Sequence, residues 1–239
     1  MKTVFHSEAS RGHANHGWLN AKHSFSFASW QNPERINFGA LRVLNDDIVA
    51  PSMGFGKHPH DNMEIITIPL RGALKHQDSI GNSSLIQAGE VQVMSAGTGV
   101  QHSEVNANKE EEINLFQIWI FPNKQNVTPR YDQIKYNQDE LRNNLLQVVS
   151  PNPDDAGTWI HQRAWIHLAQ MDTGTKIEYQ LKENGNGVYI LNIDGIFEIA
   201  SQTLEKRDAI GVWETESIII TANKSGRLLL IEVPMTLKN

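Results

Sequence analysis

Cysteine is absent from the 239-residue sequence. Its absence removes disulfides, thiolate metal sites and thiol nucleophiles together, so any bound metal must rest on imidazole and carboxylate ligands. Long hydrophobic runs are missing too. No stretch approaches the ~20 apolar residues of a membrane-crossing helix, and the opening MKTVFHSEASRGHANHGW has no apolar core of a secretion signal. The expectation is a cytoplasmic, monomeric protein with no membrane association. Positive charge is in deficit: 21 Lys and Arg against 27 Asp and Glu give a formal net charge of −6. A surface of that sign repels phosphate backbones, so nucleic acid is not expected as a direct ligand. Hydrophobic residues make up 39% of the chain, enough for one or two packed cores.

Helical periodicity is scarce as well, and only NQDELRNNLLQVV (137–149) suggests a helical turn or two. What is present instead is a series of short apolar runs: FGALRVL (38–44), MEIITIPL (63–70), EVQVM (90–94), NLFQIWIF (114–121), GVYILNI (187–193), SIIITA (217–222) and RLLLIEV (227–233). They are rich in Ile, Val and Phe and are bounded by Gly, Asn, Asp or Pro, which reads as an all-β protein. The series also repeats itself. IPLRGALKHQD (68–78) resembles LNIDGIFEIA (191–200), with Gly72 matching Gly195, and QAGEVQVM (87–94) resembles EKRDAIGVW (205–213), with Gly89 matching Arg207. Two similar β-barrels in tandem follow, joined in the polar stretch 123–140 to give units of 1–130 and 131–239.

Ten histidines are unevenly spread and none follows His167, so a histidine-ligated metal belongs to the first unit. His58 and His60 flank a proline in GKHPHDNMEIITIPLRG (56–72). Chance supplies about 0.4 H-x-H pairs at this composition, so the pair alone is weak evidence. On one continuous strand His58, His60 and Glu64 would share a face. Pro59 cannot donate to a central ladder and belongs at a strand start or edge, such as a barrel mouth. In SAGTGVQHSEVN (95–106), Gly97 and Gly99 suit a sharp turn that delivers His102 and Glu104 to one face. His58, His60, His102 and Glu104 converging from two strands would make an N₃O set. Such a set suits one divalent first-row metal, Fe(II) first, with Mn, Co, Ni or Zn as alternatives.

Other segments have plainer readings. HSFSFASW (23–30) is either an arm shaping a pocket at the barrel mouth or a strand packing Phe25 and Phe27 into the core. His76 reads as a hydrogen-bonded strand residue. His161 and His167 read as core and inter-barrel packing.

Taken in order, RGHANHGWL, HSFSFA, FGALRVLNDD, GFGKHPHDNMEI, KHQDS, GEVQVMSAGTGVQHSE, NLFQIWI and TPRY resemble the pirin family of the cupin superfamily across the whole chain. The general cupin pattern is departed from in places. Ser52 stands for its opening glycine, Ser95 for its proline, and two extra residues precede Gly99. The resemblance implies a bicupin, two tandem cupin barrels of jelly-roll type. It implies His58, His60, His102 and Glu104 as metal ligands, which moves Glu64 from ligand to a support that orients a histidine N–H. In the second barrel Leu181, Glu183 and Gly187 fall at the ligand positions, and no metal is expected there.

The activity implied is that of a quercetinase-type dioxygenase that cleaves flavonols such as quercetin with O₂ and releases CO. Glu104 would be the catalytic base, and Phe55, Leu74 and Gln117 would lie against the substrate. The alternative is a non-enzymatic, iron-dependent redox sensor acting through a protein partner.

Overall fold

The computed structural model describes residues 1–237. The chain is an all-β bicupin of two barrels. In the first barrel a seven-stranded sheet runs in the order Arg130–Lys135, Glu90–Ser95, Glu64–Arg71, Ile113–Ile120, Leu41–Val49, Leu19–His23 and Gly12–Asn15. A four-stranded sheet, Gly54–His60, Val100–Asn106, Ala73–Asp78 and Ser83–Gln87, completes this barrel. The second barrel is one nine-stranded sheet closed largely by two long strands, Asn186–Ile199 and Ser217–Pro234. Those strands turn a corner where Gly195 and Gly226 meet, and a Cβ on Gly226 would fall 2.0 Å from the Asp194 carbonyl.

The apolar runs are continuous where a strand is buried on both faces. In EIITIPL, Ile66 and Ile68 face a core shared with the second barrel, against residues such as Ile166, Leu168, Leu229 and Ile231. The alternate residues Ile65 and Thr67 face the interior of the first barrel. Both large sheets are thus covered on their outer faces by each other, and the site lies inside the first barrel.

The repeat is visible in the backbone. Gly72 and Gly195 have φ of 82° and 91°, and Gly89 and its counterpart Arg207 have φ of 95° and 68°. Three details differ from the sequence expectations. Residues 137–149 form a short 3-10 turn, Gln138–Leu141, and a strand, Leu146–Ser150. The expected join contains a strand of the first barrel, since Arg130–Lys135 pairs with Glu90–Ser95. Conversely, Lys2–His6 pairs with Ala209–Trp213 in the second barrel, so a simple division at 130/131 does not separate the two sheets.

Candidate metal centre

Two neighbouring strands bring the histidines together. Gly54–His60 and Val100–Asn106 run antiparallel with His58 directly opposite His102 and His60 opposite Val100. The turn before His102 uses Gly97 at φ 49° and Gly99 at φ 130°; a Cβ on Gly97 would lie 2.0 Å from the Val127 carbonyl. Val100–Asn106 then alternates strictly, with His102, Glu104 and Asn106 buried and Gln101 exposed. Ring centroids of His58 and His102 are 4.4 Å apart, and His60 lies 4.9 Å from each. The potential ligand atoms of these three histidines lie within 4.8 Å of one another.

Glu104 adjoins this group through His102. A second group of His76, His102 and Glu104 satisfies the same 4.8 Å limit; the two groups share His102, and Glu104 falls with His76 in this one and not with His58 and His60. His76 Nε2 lies 3.1 Å from Asp78 Oδ2, as a hydrogen-bonded strand residue would, yet its ring centroid is also 5.3 Å from that of His102. Strand spacing gave no sign of that contact, because His76 is on the neighbouring strand opposite Glu104.

The donor atoms fit a divalent cation. His58 Nδ1 is 2.7 Å from the Gly56 carbonyl and must donate to it, which leaves Nε2 with its lone pair. His102 is 1% exposed, and neither of its ring nitrogens has a partner among the described residues. Orphaned nitrogens at such depth are uncommon unless something binds them. Burial, followed by the neighbouring His58, lowers the pKa of His60 to about 4. Burial and then His58, His60 and His76 lower that of His102 to about 2. Both rings are therefore neutral at pH 7, the form that ligates a metal. Glu104 is 2% exposed and burial raises its carboxyl to about 7, opposed by hydrogen bonds from Thr67 and Gln117.

A cavity of ≈ 410 Å³ opens beside these residues and has both His58 and Glu104 in its lining. Its walls are aromatic. Phe55 packs edge-on against Trp18 at 5.4 Å, and Phe27 against Trp119 at 5.4 Å. Phe55 and Gln117 are among the residues that line it. The HSFSFASW segment divides between the two readings: Phe25 is in the shared core, but Phe27, expected there with it, reaches the cavity with His23, and residues 24–30 form no strand.

Two expected positions are corrected. Glu64 does not orient a histidine of the cluster. The strand breaks at Asp61–Met63, where Asn62 has φ 43°, so parity does not carry from His60 to Glu64. Glu64 lies on the face of Ile66 that looks to the second barrel, and its carboxylate accepts from Ser95 Oγ at 2.7 Å and from the His161 backbone. Leu74 is buried with Leu19, Val49 and Ile86; Leu19, Ala21 and Phe55 of that cluster reach the cavity, and Leu74 is not among the residues that line it.

One cavity residue was missed. Asp47 is 3% exposed, lines the cavity, and has an Oδ1 with no partner among the described residues. Burial, then the charges of Asp46 and Glu104, hold its carboxyl well above the usual carboxylate range. The available signal was a pair of carboxylates in the middle of the apolar strand LRVLNDDIV.

Two jelly-roll barrels in tandem, with an imidazole-rich centre inside the first, define a metal-binding bicupin. A family model described as Pirin matches residues 4–120, and one described as Quercetinase C-terminal cupin domain matches residues 147–233. The chain belongs to the pirin family. It is 39% identical over 224 residues to a protein of Escherichia coli strain K12 named quercetin 2,3-dioxygenase, covering 94% of this chain and 95% of that one. It is 40% identical over 222 residues to a pirin-like protein of Caulobacter vibrioides, covering 92% and 95%. Among solved structures, the bacterial pirin YhhW of Escherichia coli in complex with nickel(II) superposes with a TM-score of 0.93 at 36% identity, over 98% of this chain and 100% of that one. The family implies a divalent metal. Among the described residues no helix is long and apolar enough to cross a membrane.

Proposed function

We propose that this chain is a metal-dependent dioxygenase of the quercetinase type, opening flavonols such as quercetin with O₂. The observation that carries this reading is the cavity, whose aromatic walls, histidine and buried carboxylate meet in one space of ≈ 410 Å³. That volume falls among pockets of ~300–1,000 Å³ that enclose small organic ligands. His58, His60, His102 and Glu104 would hold the cation, Fe(II) first and Mn, Co, Ni or Zn as alternatives. When bound, it supplies a Lewis acid for the flavonol 3-oxygen and a partner for O₂.

The chain's own residues do the rest. Glu104 takes the 3-hydroxyl proton, which ends on the carboxyl group of the product. Thr67 and Gln117 hold that carboxylate in place. Phe55, Trp18, Phe27 and Trp119 flank the flat substrate and exclude water. In the balance, the C2–C3 and C3–C4 bonds break and C3 leaves as CO. Both atoms of O₂ stay in the depside. Protein loaded with Fe(II) should consume O₂ and evolve CO from quercetin in equal amounts, and His102→Ala should abolish both. Undiminished turnover in that variant, or bound metal with no CO from the wild type, rejects the reading.

A further inference from the structure

The second barrel has a cavity of its own, ≈ 330 Å³, beside strand Lys176–Gln180. That strand pairs only with Ser217–Pro234 among the described residues, so its other edge is free. Leu145, Ile177 and the Tyr179 ring form an apolar wall that continues into the inner core of the barrel. His167 also lines the cavity, from strand Trp165–Met171. It shares a face with Ala169 and Met171, which puts its ring inside the second barrel and not in the inter-barrel core. This is a different place from the packing role its sequence context suggested.

The buried carboxylate behind this wall is satisfied, and His167 Nδ1 is not. Glu232, 0% exposed, accepts from the Tyr179 hydroxyl at 2.7 Å, from the Lys182 backbone N–H at 3.0 Å and from Asn186 Nδ2 at 2.8 Å. Those bonds fix the wall without using the histidine. His167 is 3% exposed, sits edge-on to Tyr179 at 5.2 Å, and its fully buried Nδ1 has no partner among the described residues. An unpaired imidazole in an otherwise complete buried network calls for a ligand group. Burial, aided by the charge of Lys182, lowers its pKa to about 3, so the ring is neutral, with one donor nitrogen and one acceptor. Lys182 is exposed at the opening and forms no salt bridge among the described residues. Glu178 and Gln180 also line the cavity, on the strand positions that alternate with Ile177 and Tyr179, so Lys182 is its one cation and Glu178 its one carboxylate among the lining residues.

We propose that this cavity binds a single-ring phenolic carboxylate. The ring lies against Leu145, Ile177 and Tyr179, the phenolic hydroxyl pairs with His167, and the carboxylate meets Lys182. A hydroxyl both donates and accepts, so it suits either tautomer of a neutral imidazole. A purely apolar molecule would leave His167 unpaired, and a bare inorganic anion would leave the apolar wall wet. The site uses none of the groups of the metal centre and stands whatever reaction occurs there.

The test uses 4-hydroxybenzoate as probe and the full-length, metal-loaded protein, read by the ring ¹⁵N resonances of His167. Saturable movement of those resonances is expected, with benzoate and phenol each binding more weakly. Lys182→Ala should weaken binding roughly tenfold, the scale of one lost charge-assisted contact. His167→Phe, which removes the reporter ring and is followed by isothermal titration calorimetry instead, should abolish saturable binding, and Lys182→Ala, at an exposed position, carries the test if that variant does not fold. No saturable shift of His167 at millimolar probe, or unchanged affinity in Lys182→Ala, overturns the proposal.

Discussion

Gln117 Nε2 donates to Glu104 Oε2 at 2.9 Å, a hydrogen bond that joins the two sheets of the first barrel across its interior. Thr67 Oγ1 stands 3.1 Å from Gln117 Oε1 and 3.3 Å from Glu104 Oε1, so two linked side chains locate the Glu104 carboxylate. Groups that orient a metal-binding carboxylate typically affect metal affinity by about 10–100-fold. Gln117→Leu is expected to weaken divalent-metal binding by at least about tenfold on that scale. A chelator-competition titration measures it, and unchanged affinity would show that Glu104 needs no such support.

Glu64 gives a prediction in pH. Burial raises its carboxyl to about 7, against an ordinary value of 4.5. Between those values the unfolded chain releases the proton and the folded chain keeps it, so stability falls as pH rises from about 4.5 to about 7. The full penalty, ~3 kcal/mol from the size of the shift, is present only above that window. Glu64→Gln should flatten this part of the stability profile and raise the melting temperature at pH 8, with metal content unchanged. Loss of metal in that variant would return Glu64 to the centre.

Asp47 offers the cavity a carboxyl whose pKa burial raises and whose Oδ1 is unpartnered among the described residues. If it meets the substrate, Asp47→Ala removes one hydrogen bond, about 1 kcal/mol or roughly a fivefold rise in KM. Asp47→Asn keeps a donor of the same size and should restore most of the affinity. Steady-state kinetics with quercetin, alongside metal analysis, separates this from damage to the centre.

The two barrels are also tied by charge. Arg207 Nε, from the second barrel, lies 3.0 Å from Asp46 Oδ2 in the first, and its Nη2 donates to Asn114 Oδ1 at 3.1 Å. Both partners are largely buried, with side-chain exposures of 16% and 9%. Arg207→Met would leave Asp46 a hydrogen bond from Asn114 Nδ2 and, as its one cation, the more distant Arg11, 3.6 Å away. A loss of about 3 kcal/mol is expected for such a broken buried pair, measurable by urea unfolding. Because Asp46 adjoins Asp47, a change in KM should accompany it.

The parts of the site readable from sequence were those encoded by short-range rules. His58 and His60 alternate on one strand, and two glycines place His102 and Glu104 on the next, so spacing carried the convergence. The same rule misplaced Glu64 because it assumes an unbroken strand, and a left-handed asparagine interrupts this one. Leu74 and Asp47 were inaccessible for a different reason. Whether a buried side chain faces a cavity or the core behind it depends on what the opposite sheet leaves empty, and no local pattern records that. The partner of Lys2–His6 lies about two hundred residues away, beyond the reach of any periodicity.

That first strand has a consequence for how the molecule holds together. Each half lends the other a strand: Lys2–His6 crosses to the later barrel, where His6 Nδ1 meets the Tyr189 hydroxyl at 2.9 Å, and Arg130–Lys135 remains with the earlier one. A chain nicked between residues 121 and 129 would leave two fragments laced together, each supplying what the other lacks. Alone, either would show a naked sheet edge open to aggregation; mixed, they would reassemble and restore the metal centre. The fold is thus a ready-made split protein.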